Sequence, residues 1–369
     1  MRDFVNSANL SRSRKSRGAV STTPRTGQSS TSAESCFKRS DSGPHKAAYI
    51  INVRNGLYNV LEDTLTEHTP DYYSTVQLNV TYDKKADCPL FKKFLAESMG
   101  GDMEQVGLIQ EMLGYFLIPV NSAQKCFVIV GVASAGKSVL LRVLNDVLLG
   151  KQNVSNVSWQ ALNERFKTAE LFGKLANIFA DLPTKNIDDN GIFKALVGED
   201  YLTVEKKNKN PFSFQSSARL LFYCNSIPKN YGDRSEGFYR RLIIIRFNHT
   251  VLQDKRDPEL LEKLRMEADG IFLFALEGLR RLMNNHYVFS ETQVNADELQ
   301  QYREESDSVL SFVKDYCELD ADYSPELLQH ILQSLHDHHL LTKAAAGHIV
   351  ALGQMSFLCL LFDDLQILG

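Results

Sequence analysis

Eight consecutive residues carry the clearest chemistry in this chain: Gly131, Val132, Ala133, Ser134, Ala135, Gly136, Lys137 and Ser138 fit the pattern G-x-x-x-x-G-K-[ST]. Set between a strand and a helix, such a loop wraps successive backbone N–H groups around phosphate oxygens. The positive end of the helix adds a favourable field for the negative charge. Lys137 is placed to reach the β and γ phosphates, and the Ser138 hydroxyl to complete the shell of a magnesium ion. Gly131 and Gly136 serve geometry, because a Cβ would obstruct the torsions and close approaches the loop needs. These residues specify a nucleoside triphosphate with Mg2+. The loop alone is silent on what the hydrolysis drives.

Three further groups fall where such a ligand can use them. Asp181 follows the apolar run 175–180 and precedes Leu182 and Pro183. An acid at the C-terminal edge of a strand is placed to hold magnesium, although an isolated Asp there more often only opens a turn. Asn225 stands in the same relation to the run 219–224, where its amide can orient an attacking water or merely open the turn before Pro228. Arg240 and Arg241 stand at the entrance of the run 242–247. Paired arginines there can reach the nucleotide of a neighbouring subunit, or form ordinary surface ion pairs. Lys206, Lys207 and Lys209 cluster at the tip of an alternating segment, 198–214, and a basic tip is equally the mark of a solvated edge that discourages strand pairing. The cluster His336, Asp337, His338, His339 lacks metal-ligand spacing, since adjacent histidines point in different directions on a helix and no cysteine lies near.

The elements that must hold these groups follow from pattern. The run 126–130 is apolar and rich in β-branched residues, as a buried parallel strand should be, and 139–149 reads as a helix stopped by Gly150. Upstream, 49–53 and 56–60 read as a hairpin turning through Arg54 and Asn55. Two helices follow, one carrying Phe91, Phe94 and Leu95, the other Val106, Ile109, Leu113, Phe116 and Leu117. Downstream, 190–197 reads as a short helix and 257–286 as helical from Pro258 onward. The fold class is therefore α/β. Residues 1–46 form a basic, Ser/Thr-rich tail with too little apolar surface to offset ordering entropy. Next come an N-terminal hairpin and helical domain at 47–118, the P-loop domain at 119–250, a helical segment at 251–316 and an unassigned tail at 317–369.

Composition narrows the class without naming a function. With 369 residues and 43% hydrophobic content the chain has room for two or three globular domains. A formal net charge of −4 gives no global sign of a nucleic-acid binder, so any such role rests on local basic clusters. The six cysteines, at 36, 88, 126, 224, 317 and 359, include no C-x-x-C pair and read as reduced and structural. No signal peptide or membrane-length apolar run is visible, so a cytoplasmic protein of a bacterial host cell is expected.

Taken together, residues 50–315 resemble the superfamily 3 helicases, in particular the helicase part of phage and plasmid primase-helicase proteins. The residues that carry the resemblance are GVASAGKS, LANIFADLP (175–183), GEDYLTVEKKNKNPFSF (198–214), LLFYCNSIP (220–228) and GFYRRLIIIRF (237–247). The flanks RNGLYNV (54–60) and YREESDSVLSFV (302–313) are similar as well. The resemblance implies an AAA+-like P-loop ATPase with a parallel sheet, assembled as a ring, usually a hexamer, that translocates on single-stranded DNA during replication. It implies that Lys137, Ser138 and Asp181 bind ATP and Mg2+, that Asn225 senses the γ-phosphate, and that Lys206 and Lys207 lie on a DNA-contacting hairpin. Arg240 or Arg241 would act in trans, with Arg241 preferred because it directly precedes the strand. Ala135 stands where the family commonly has Asn or Gly, and Ala180-Asp181 where it usually offers two acids. The water-activating group is thus unassigned, with Glu199 and Asp200 as weak candidates. No primase domain is present, so a separate primase is an expected partner. The alternatives are a remodelling ATPase acting on protein and an inactive prophage remnant.

Overall fold

The computed structural model describes residues 47–183, 187, 189–230, 233–250 and 257–306. The tails 1–46 and 307–369, and with them the histidine cluster and Cys36, Cys317 and Cys359, lie outside the described residues.

The chain opens with three antiparallel strands, β1 (Ile50–Val53), β2 (Gly56–Asn59) and β3 (Thr64–Thr66). The hairpin is where the sequence put it, with Val53 opposite Gly56. The third strand is fully exposed and has no apolar alternation to reveal it. Two helices follow, α1 (Pro89–Ser98) and α2 (Met103–Tyr115). Asp102 caps α2 locally, accepting from the N–H groups of Glu104 and Gln105 at 3.0 and 3.1 Å. The first turn of α1 is capped from far away, where the Glu267 carboxylate accepts from Leu90 N–H at 3.0 Å and Phe91 N–H at 2.9 Å.

The centre of the molecule is a five-stranded parallel sheet. Its strands are β4 (Cys126–Gly131), β5 (Val154–Ser155), β6 (Ala176–Phe179), β9 (Arg219–Cys224) and β10 (Leu242–Phe247), in the spatial order β10-β4-β9-β6-β5. Between β6 and β9 the chain makes α4 (Gly191–Val197) and the hairpin of β7 (Tyr201–Val204) and β8 (Phe212–Gln215). The short α5 (Glu236–Tyr239) leads into β10. Both faces of the sheet are covered, which is why its strands read as continuous apolar runs. Phe127, Ile129, Leu221, Ile243 and Ile245 face one core, shared with α1, α2 and the C-terminal helices. Cys126, Val128, Val130, Phe222 and Ile244 face the other, built on Trp159, Phe193 and Phe238.

The region read as one helix from Pro258 is two, α6 (Leu260–Met266) and α7 (Ala268–Asn284), broken at the residue that caps α1. A further helix, α8 (Gln293–Ser306), follows. α7 packs on α2, where buried Glu111 accepts from Arg281 Nε at 2.7 Å. The hairpin, helices and sheet therefore share one hydrophobic core running from Ile51 to Phe289. The cysteines at 88, 126 and 224 are buried free thiols, as read from the sequence.

Candidate functional site

The phosphate loop joins β4 to α3 (Lys137–Arg142), which continues as π-helical turns over Val143–Leu149. Its start is pinned to β10: Val132 N–H donates to Phe247 O at 3.1 Å, and a Cβ on Gly131 would lie 2.1 Å from that same carbonyl oxygen. Ser134 and Gly136 take φ of 62° and 93°, the left-handed torsions that let the chain turn over the strand end. Gly136 O then accepts from Val139 and Leu140 N–H at 3.0 and 3.1 Å, which starts the helix. Val132, Ala133, Ser134 and Ser138 stay exposed, while Ala135 is buried.

Lys137 is only 3% exposed. Its Nζ donates to Gly131 O at 2.5 Å and to Val132 O, and sits 5.3 Å from the centroid of the Tyr223 ring on β9. Burial pushes the pKa of this amine below the ordinary lysine value, opposed by the Cys224 thiol and the Asp181 carboxylate. The ammonium therefore rests on the loop's own carbonyls, with no carboxylate bonded to it among the described residues.

The strand order brings the other predicted groups to the same edge. Because β9 lies between β4 and β6, the exits of all three strands are neighbours. Asp181 is exposed at the exit of β6 with φ of 54°, and the next N–H, of Leu182, donates to Tyr223 O at 3.1 Å, which ties this turn to β9. Asn225 is exposed one residue beyond Cys224, whose partner across the ladder is Val130. Among the described residues no three His, Cys, Asp or Glu side chains gather as a metal cage. Ser138 and Asp181 are exposed oxygen donors at this edge, and magnesium commonly takes one or two protein oxygens with phosphates and waters completing its octahedron. Sequence reasoning missed Tyr223, whose ring carries Lys137; its position two residues before Asn225 on a strand was the available signal.

The remaining candidates lie elsewhere. Arg240 and Arg241 stand at the entrance of β10, whose six residues span roughly 20 Å from entrance to exit. Arg241 is turned back into its own chain. Its Nη1 donates to Gly237 O, its O accepts from Cys126 N–H at 2.6 Å, and burial lowers its pKa while Asp200 and Asp233 oppose that. Arg240 is exposed. Glu199 is also at this entrance edge, accepting from Asn121 N–H at 3.0 Å. Glu199 and Asp200 are thus far from the loop of their own chain, and neither can activate water there.

At the hairpin tip Lys206, Lys207 and Lys209 are all exposed. Lys206 Nζ lies 5.7 Å from the Phe172 ring and 5.9 Å from the Phe212 ring, so aromatic faces hold it at the base of the tip. Glu205 pairs with Arg165, which fixes the hairpin against the preceding loop and holds the Glu205 carboxyl below its usual pKa.

Known proteins share this fold. The fold resembles that of the apo C-terminal region of NrS-1, with a TM-score of 0.50 at 16% identity, covering 74% of this chain and 64% of that one. A weaker likeness to the JCV helicase has a TM-score of 0.34 at 14% identity, covering 62% of this chain and 64% of that one. The shared fold is mixed α/β, a five-stranded parallel sheet with helices before and after it. Residues 11–100 match the family described as "D5 N terminal like", and residues 129–241 match a family of unknown function, DUF5906. The chain spans less than two thirds, 64%, of the NrS-1 region it matches.

Proposed function

We propose that this chain is an ATP-dependent DNA helicase subunit of phage or plasmid replication, working on single-stranded DNA as a ring, by family resemblance a hexamer. One observation carries the reading: Lys137, Asp181 and Asn225 meet at one edge of the sheet, while Arg240 is exposed at the opposite edge. A chain built this way has a nucleotide pocket and an arginine that cannot serve it, and a neighbouring copy supplies what is missing.

Lys137 exchanges the Gly131 and Val132 carbonyls for β and γ oxygens of ATP. Ser138 and Asp181 would hold magnesium, which would supply charge neutralisation at the phosphate oxygens. Asn225 orients water against the γ phosphorus, so that the new P–O bond forms in line as the bond to the β–γ bridging oxygen breaks. Arg240 of the adjacent copy stabilises the charge in that transition state. We assign this role to Arg240 in preference to Arg241, because the Arg241 guanidinium is committed to Gly237 and the acids beside it. Lys207 and Lys209 lie free at the hairpin tip for strand phosphates, with Lys206 anchoring it on Phe172 and Phe212.

ATP turnover with and without single-stranded DNA, run beside a mass measurement of the assembly, tests the reading. DNA-stimulated turnover by a ring is the expected result. Turnover indifferent to DNA but stimulated by protein would favour a remodelling ATPase, and no turnover under any condition would leave an inactive remnant.

A further inference from the structure

Lys137 is a buried cation without a bonded anion. It is 3% exposed, and among the described residues no carboxylate bonds to it. Holding an ammonium out of water is costly, and such a charge is ordinarily paired. The Gly131 and Val132 carbonyls accept two of its three N–H donors. Beside the remaining side of the charge stands the Tyr223 ring, its centroid 5.3 Å from Nζ, while Asp181 acts only through space. Tyr223 is central to the site by its backbone as well. Its strand β9 runs between β4 and β6, its partner across the ladder is Ile129, and its carbonyl oxygen accepts from Leu182 N–H at 3.1 Å, next to Asp181. The side chain is half-buried against the core shared with α1 and α2, so packing fixes the ring whether or not the lysine leans on it.

We propose, on the reading of the loop as a triphosphate site, that Tyr223 is a positioning residue of that site. Its ring face is a neutral seat that holds the Lys137 ammonium over the loop and leaves the whole positive charge for phosphate. An aromatic face attracts a cation through its quadrupole and adds no net charge. A carboxylate in the same place would hold the ammonium too, but it would cancel the charge that phosphate needs and repel the phosphate oxygens. A leucine there would give the same burial and no field. The ring also suits the exchange of ligands at the ammonium. Phosphate oxygens take the place of the two loop carbonyls but do not compete for the ring, because its negative face repels anions. The lysine thus keeps one contact while it trades the other two, and the Tyr223 hydroxyl has no part in this.

The test is calorimetric titration of the full chain with inorganic tripolyphosphate in magnesium. Tyr223→Leu, which keeps the apolar bulk, is expected to weaken binding about tenfold, the worth of one desolvated contact between a cation and a ring. Tyr223→Phe should recover most of that loss. A sharper readout places progressively fluorinated phenylalanines at position 223, since fluorine drains the negative face of the ring with little change of shape. Affinity should then fall stepwise while the unfolding midpoint stays in place. A flat series overturns the proposal, because a ring that merely packs would give it. A loss in Tyr223→Phe equal to that in Tyr223→Leu overturns it too, by assigning the effect to the hydroxyl. Lys137→Ala separates this from the underlying reading, since it should lose tripolyphosphate whatever stands at 223. If the wild-type chain does not bind tripolyphosphate, or Lys137→Ala binds it equally well, the phosphate site itself falls and the seat with it.

Discussion

The two edges of the parallel sheet are ends of the same apolar strands, yet they treat polar groups in opposite ways. At the entrance edge Arg219 is 1% exposed, lies 5.1 Å from the Tyr115 ring, and donates through Nη2 to Val120 O at 3.1 Å. Burial pushes its pKa down to about 10, a cost tolerated because the guanidinium stitches the linker after α2 to the sheet. Asn121 is likewise buried and satisfied, donating through its side chain to Leu196 O and Ser216 O at 3.3 and 3.0 Å. At the exit edge Asp181 and Asn225 are exposed, and Ser134, Gly136 and Asp181 take left-handed torsions. At the entrance edge Arg219 and Asn121 close the structure. At the exit edge the polar groups are left open in a backbone held by its neighbours, which is the condition of a binding site.

The largest test of this contrast acts on the exit edge. Lys137→Ala should abolish ATP hydrolysis, a fall of at least about a thousandfold, while circular dichroism and the unfolding midpoint stay near wild type. Arg240→Ala should lose a similar factor, about a thousandfold, and retain nucleotide binding. Mixing the two dead proteins should restore part of the turnover, because some interfaces then pair an intact pocket with an intact arginine. Turnover that stays absent although subunits exchange would remove Arg240 from that role.

At the entrance edge the effect should appear in stability. Arg219→Ala removes a large buried side chain and strips Val120 O of its donor, at a cost of roughly 3 kcal/mol or more in urea unfolding. Arg241→Ala should be milder, about 1–2 kcal/mol for the unpaired carbonyl and lost packing. Arg241→Ala falling as far in turnover as Arg240→Ala, with unchanged stability, would reverse the assignment of the two arginines.

The smallest effect belongs to the hairpin. Lys207→Ala and Lys209→Ala should each reduce the salt slope of single-stranded DNA binding by about one unit or somewhat less. Lys206→Ala should change the slope less than either. Equal slopes for all three would mean that the rings around Lys206 do not hold it.

Much of this is legible in the sequence. Four of the five parallel strands are long apolar runs bounded by turn residues, and the loop, Asp181 and Asn225 fall at their ends by pattern alone. β5 was not legible, because two residues carry no period. The direction of the Arg241 side chain was not legible either: it folds back onto Gly237 one helical turn earlier, beside Gly198 and Asp200, which come near it only in the folded chain. The break between α6 and α7 is hidden in a helical pattern, and Glu267 shows its purpose only when α1 is in place. Lys206 reads as one of three equal lysines until Phe172, from another segment, arrives beside it.

That long-range cap at Glu267 bears on how the chain is made. The N–H groups of Leu90 and Phe91 wait for a carboxylate 177 and 176 residues downstream, and Thr81 N–H for Asp269 at 2.7 Å, 188 residues on. At ribosomal speeds of about 5–20 residues per second the gap is roughly 10–35 s. During that interval α1, α2 and β4 have left the ribosome without α7, β9 or β10 to cover them. Their bare apolar faces are therefore a predictable place for a chaperone to hold the nascent chain, and a shortage of that help should appear as aggregation during synthesis of a protein that is stable once complete.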